Sequence, residues 1–260
     1  MNRGISSRLV IAVALAAACS FPLAAQGRQG GGRQGGAAPT ARGNAPVDLT
    51  GTWVSIVTED WRWRMMTPPK GDYASIPLNP AGIAIVNAWD PARDTAAGEQ
   101  CKAYGAGAIM RVPGRVRIGW QDDATLKVET EAGTQTRLFH FARPTQNDAP
   151  SWQGLSLATW QLAGAGGRRA GTPAERGGSL KVVTTNLRPG YLRKNGVPYG
   201  ANATVTEYFT RVTDPVDNAV YLVVTTVVED PEYLQQRWFN SSHFKKVDDG
   251  IWKPNACSAS

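Results

Sequence analysis

Ten short runs of β-branched, aromatic and alternating residues follow one another between residues 52 and 247, and turn signals separate them. The runs cover 52–57, 109–112, 115–120, 125–131, 134–141, 152–162, 179–187, 204–212, 220–229 and 234–247. In 125–131, Leu126, Val128 and Thr130 alternate with Lys127 and Glu129, the period of a half-buried strand. Pro113-Gly114, Gly133 and Asn195-Gly196 mark turns, and Asn-Gly is the strongest hairpin signal in the chain. One helix is predicted over 80–89. Asn79 caps it, Pro80 takes its first position, and Ala81, Ile85, Val86 and Trp89 form its apolar stripe. Trp89-Asp90-Pro91 ends it, because a residue before proline avoids the helical region. Nothing alternates strand with helix, so a parallel α/β sheet is excluded. The expectation is an all-β, mainly antiparallel domain, a barrel or a β-sandwich with one short helix.

The N-terminus follows a different plan. Arg3 and Arg8 precede an uncharged apolar run, 9–18, and Leu23-Ala24-Ala25 forms a small-residue cleavage site. Residues 1–25 are therefore expected to be a signal peptide, because about ten apolar residues are too few to cross a bilayer. A second reading is lipoprotein processing at Cys19. Residues 26–47 are rich in Gly, Gln and Arg and are expected to be a flexible linker. The β domain then spans 48–260, outside a bacterial cytoplasm, in the periplasm or beyond.

The formal charge of +7 belongs mostly to this leader. Five of the 28 basic side chains, Arg3, Arg8, Arg28, Arg33 and Arg42, precede the first acidic residue, Asp48. That leaves 23 basic against 21 acidic residues and a net charge of +2 on 48–260. Nucleic-acid binding is not expected from such a domain. The cluster Arg168, Arg169 and Arg176 falls in a Gly-rich stretch that reads as a solvated loop. After export two cysteines remain, Cys101 and Cys257, and an even pair in an oxidising compartment closes a disulfide. By loop entropy so long a closure is worth about 4–5 kcal/mol.

Two resemblances follow from particular residues. Leu49-Thr50-Gly51-Thr52-Trp53 resembles the G-x-W that opens the first strand of lipocalins. In that family the tryptophan plugs one end of an eight-stranded up-and-down barrel, and the other end opens onto a ligand cavity. The order Pro150-Ser151-Trp152-Gln153-Gly154, then Thr206-Glu207-Tyr208-Phe209-Thr210-Arg211, then Val228-Glu229-Asp230-Pro231 resembles a widespread group of secreted bacterial β-rich proteins. That resemblance implies export and one β-rich domain, and assigns no catalytic residue.

Strand parity nominates a site. Val205, Glu207, Phe209 and Arg211 share one face of their strand, and Arg137, Phe139 and Phe141 share one face of theirs. A carboxylate among apolar neighbours needs a cationic partner or a proton. Arg137, Arg188 and Arg193 are the candidates. The turn-rich segment 187–200 gathers Tyr191, Arg193 and Tyr199, and loops on a rigid scaffold concentrate binding residues. This segment is expected at an open barrel end, with Glu207 deeper as candidate acid–base residue. Trp61 and Trp63 are read as one face of a strand, with Arg62 and Arg64 opposite. Two histidines, His140 and His243, fall short of the three or four ligands of a zinc site, and no cofactor motif is present. Three functions remain open: an exported binding protein for a small, partly apolar ligand; an acid–base enzyme of the same shape; and an envelope interaction protein.

Overall fold

A computed structural model describes residues 40–145, 149–164 and 177–260. The expected signal peptide, residues 26–39 of the expected linker and the arginines of the Gly-rich loop lie outside the described residues. Among the described residues, no helix is long and apolar enough to cross a membrane.

Nine strands close into a barrel. They are β1 (Gly51–Ile56), β2 (Arg115–Asp122), β3 (Thr125–Thr130), β4 (Gln135–His140), β5 (Leu155–Leu162), β6 (Gly178–Thr185), β9 (Thr204–Thr213), β10 (Val220–Glu229) and β11 (Trp238–Val247). A separate hairpin, β7 (Gly190–Arg193) and β8 (Val197–Tyr199), interrupts the meander, so β6 pairs with β9. β1 closes the ring by pairing with both β2 and β11. Every ladder is antiparallel except β4–β5, which is parallel and consists of Phe139↔Ser156 and His140↔Leu157. The barrel of the two expected architectures is therefore the one realised, with nine strands rather than the eight of lipocalins.

Alternation fills the interior. Leu222, Val224, Thr226 and Val228 of β10 point inward, as do Val205, Glu207 and Phe209 of β9 and Arg137 and Phe139 of β4. Full burial of each such leucine, valine or phenylalanine is worth about 1.5–3 kcal/mol. Trp53 is fully buried in this core; its Nε1 donates to the Leu49 carbonyl at 3.0 Å, and the Lys246 ammonium lies 5.5 Å from the centre of its ring.

One end of the barrel is covered by residues 57–114 and by the β7–β8 hairpin. Here the helical content exceeds the expectation. The predicted helix is present as α2 (Pro80–Ala88), with Asn79 Oδ1 accepting from Gly82 N. Its buried residues are Gly82 and Val86, while Ile85 points outward, because Gly82 lets the helix settle onto Leu78 and Tyr233. The chain breaks at Trp89 and restarts as α3 (Pro91–Ala96), capped by Asp90. Two expected strands are helical turns. Trp61, Arg62, Trp63 and Arg64 form α1 (Trp61–Arg64), and Ile109–Arg111 is a 3-10 turn. Both lie over the barrel mouth with no neighbouring strand to pair, so local hydrogen bonds satisfy their backbone.

The Asn195-Gly196 turn folds the hairpin back as predicted. Gly196 takes a φ of +81°, and a side chain there would collide with the Trp89 ring. Asn195 is buried, and its Nδ2 donates to the carbonyls of Pro69 and Asp72 at 2.9 and 2.8 Å. The hairpin is thus packed into the cap rather than held open at a rim. The expected disulfide is present: Cys101 and Cys257, 5.1 Å apart at Cα, join the segment after α3 to the C-terminal tail.

At the other end, residues 40–47 differ from the expected linker. They form a hydrogen-bonded turn, Pro46 is buried, and the Ala41 carbonyl accepts from Trp160 Nε1 at 2.9 Å. The packed chain therefore includes residues ahead of Asp48. The composition of the Gly-rich stretch masks Pro46 and Val47, the apolar residues that pack.

Candidate functional site

Glu207 faces inward, as parity predicts, and its partner is Arg137. The pair is bidentate, with Nη1–Oε1 at 3.0 Å and Nη2–Oε2 at 2.5 Å, and both side chains are 0% exposed. Arg137 Nη2 also reaches Thr184 Oγ1 at 3.3 Å, and Thr184 shares a 2.8 Å hydrogen bond with Ser156. Each carboxylate oxygen therefore meets a guanidinium donor, and the network ties β4, β5, β6 and β9 together inside the barrel. None of the clefts described below is lined by Glu207 or Arg137.

The other nominated residues lie apart from this pair. Tyr191 is half-buried and donates to Asp94, with Oδ2 at 2.9 Å. Burial, then the bond to Asp94, push its phenol up to about 12. Asp94 also holds Lys102 at 3.0 Å, Lys102 holds Glu99, and Glu99 holds Arg188 at 2.8 Å. Arg188 is thus spent on the surface of the cap, away from Glu207. Tyr199 is fully buried, its hydroxyl has no hydrogen-bond partner among the described residues, and burial raises its pKa. Tyr191 and Tyr199 edge a cleft of about 290 Å³ against Trp89 and Pro198.

Arg193 belongs to a different constellation. It lines a cleft of about 280 Å³ together with Arg64, Arg111 and Lys194. Beside these cations the lining is apolar: Trp63, Tyr104 and Leu192, with the exposed Met65 and Met66. Three elements deliver the arginines. Arg64 ends α1, Arg111 ends the Ile109–Arg111 turn, and Arg193 ends β7. Despite their charge they are 6%, 6% and 4% exposed.

Partners for these cations are incomplete. Arg64 pairs with Glu59 through Nη1 and donates from Nε to the Arg111 carbonyl at 2.9 Å. Arg111 pairs with Asp60 at 2.9 Å. Arg193 donates to Ser75 Oγ at 3.0 Å, makes no ion pair among the described residues, and places its guanidinium 4.7 Å from the centre of the Trp63 ring. Arg64 Nη2, Arg111 Nη1 and both Nε and Nη1 of Arg193 are buried without a partner among the described residues. Burial, then the charge of Arg111, bring the Arg193 guanidinium down to about 10. Burial likewise lowers that of Arg64, with Arg111 adding to the effect against the pull of Glu59.

Trp63 anchors the cleft. Its Nε1 donates to Asp72 at 3.0 Å, and Asp72 also takes Arg62 at 3.0 Å. Trp61, its expected neighbour on a strand face, is 62% exposed instead. The disulfide-bound tail reaches this place as well, since Asn255 lines the cleft.

Of the residues lining this cleft, the sequence nominated Arg193 alone, and Arg64 and Arg111 were not among its candidates. Both lie in segments that read as strands, and 47 residues separate them. The one available signal is three cations, Arg62, Arg64 and Arg111, flanking a cap whose nearby acids are Glu59, Asp60 and Asp72.

A further cleft, about 500 Å³, lies at the opposite barrel end between Trp120, Trp160, Leu126 and residues 45–50. Its two tryptophans pack on Phe141: Trp120 stacks on that ring at 5.6 Å, and Trp160 lies tilted against it at 5.2 Å. No protein-family model, curated protein or solved structure matches this chain.

Proposed function

We propose that the protein is an exported binding protein, with the closed barrel as rigid scaffold and the arginine-bearing cleft of the cap as its ligand site. The ligand is small and partly apolar. One observation carries the reading: a single cleft joins an apolar wall of Trp63, Tyr104 and Leu192 to buried cations with spare donors. Small-molecule sites combine an apolar lining with a few placed polar groups in this manner. The volume of about 280 Å³ lies near the small end for such pockets, which suits a compact ligand. The Cys101–Cys257 disulfide supports residence in an oxidising compartment.

The test is titration of the purified domain with N-phenyl-1-naphthylamine, a neutral dye that brightens in apolar sites. Saturable binding is expected, and Met65→Asp with Met66→Asp should weaken it several-fold. These side chains are exposed, so the fold should tolerate both changes. Absence of saturable binding, or binding indifferent to both substitutions, overturns the assignment of this cleft.

A further inference from the structure

We infer that the cleft takes its ligand through an anionic group, a carboxylate or a phosphate, seated on Arg64, Arg111 and Arg193. This deepens the proposed function and rests on the cleft being the ligand site.

The first argument is donor accounting. Buried polar groups in proteins are nearly always paired, and buried charges more strictly still. Here three guanidinium groups line one cleft and together leave four buried nitrogens unpaired among the described residues. No other cleft described here is lined by more than two arginines. The second is charge. Arg62, Arg64, Arg111 and Arg193 surround the site against Glu59, Asp60 and Asp72, an excess of one positive charge, while Lys194 meets an oxygen of Ser260 at 3.4 Å. Water satisfies donors but leaves that excess in place; an anion does both.

The third argument is shape. A guanidinium is a planar fork that matches two oxygens of a carboxylate or phosphate. Arg193 is held flat by Trp63 and by Ser75 Oγ, which leaves Nε and Nη1 spare. Nη1 lies on the Cδ side of the guanidinium and Nε–H on the opposite edge, so these two spare donors each meet one oxygen on a different edge. Arg64 and Arg111 are each fixed by a carboxylate on one side and keep a terminal nitrogen free. Trp63, Tyr104 and Leu192 line the same cleft as the arginines, so an organic acid with an apolar body fits better than a bare inorganic ion.

The experiment uses the whole exported chain and four probes at matched ionic strength: benzoate, phenyl phosphate, inorganic phosphate and benzyl alcohol. Calorimetry measures their binding directly, and displacement of N-phenyl-1-naphthylamine reads the same site. Benzoate or phenyl phosphate should bind about tenfold or more tightly than benzyl alcohol, and the better of the two names the anion. Arg193→Met should abolish that preference, whereas Arg193→Lys, which keeps charge and loses the planar donor set, should retain part of it. If inorganic phosphate binds as tightly as both organic anions, the apolar body plays no part and that element falls. If the dye binds but benzyl alcohol competes as well as the anions, this inference fails and the proposed function stands. If the anions bind but the dye does not, the partly apolar reading fails and the anion site stands. If neither binds, both fall. The wild-type comparison of anion with neutral probe decides the matter even where a variant does not fold.

Discussion

Replacing Glu207 with Gln keeps the side-chain shape and removes one charge from the middle of the barrel. In the native protein that charge meets Arg137 through two hydrogen bonds, and neither side chain touches solvent. The amide offers one acceptor and turns a donor toward the guanidinium. Arg137 is left with that acceptor and Thr184 Oγ1. Breaking a buried ion pair from one side costs about 3–5 kcal/mol. For a domain of this size each kcal/mol moves the midpoint by about 2–4 °C, so a fall of roughly 6–20 °C is expected by calorimetry. Changing both partners, Arg137→Met with Glu207→Leu, removes the stranded charge and should recover most of the loss. Dye binding should be unaffected in either variant, because the cleft does not reach the pair. If Glu207→Gln melts within about 2 °C of the native protein, the pair is not a structural tie. If it keeps its stability and loses ligand binding, Glu207 meets the ligand and the site has been placed at the wrong depth.

Three further outcomes are expected. Opening the Cys101–Cys257 bridge by Cys→Ser at both positions should cost about 4–5 kcal/mol, since it closes a loop with a sequence separation of 156; free thiols on the folded native protein, detected by alkylation without reductant, would contradict the bridge. Glu59, Asp72 and Glu99 sit below their ordinary pKa values of 4.5, 3.8 and 4.5, so their contribution is complete above those values and is lost as pH falls through the lower folded ones; a melting temperature that stays flat from about pH 5 to pH 3 argues against this. Gly196→Ala puts a methyl group against Trp89 at a φ of +81° and should lose about 1–3 kcal/mol in chemical denaturation, whereas an unchanged midpoint would mean the hairpin is not locked there.

The sequence alone determined the nine barrel strands, because period-two alternation and turn chemistry are local. Leu126, Val128 and Thr130 announce their own inward face, Asn195-Gly196 announces its own turn, and Glu207 and Phe209 share an inward face by parity. It also supplied the cysteine pairing, since only two cysteines follow Cys19. Ring closure, the β7–β8 interruption and the parallel β4–β5 contact came only with the tertiary structure, because register across a barrel depends on every strand at once. The same holds for the cap. Apolar and aromatic residues in 61–64 and 109–111 carry strand propensity, yet neither segment has a free strand edge to pair with, and their backbones turn helical instead. The arginine cleft is a consequence of those turns. Arg64, Arg111 and Arg193 become neighbours only once the cap folds over the barrel mouth, where burial and mutual repulsion, rather than any spacing in the chain, make three ordinary arginines into one site.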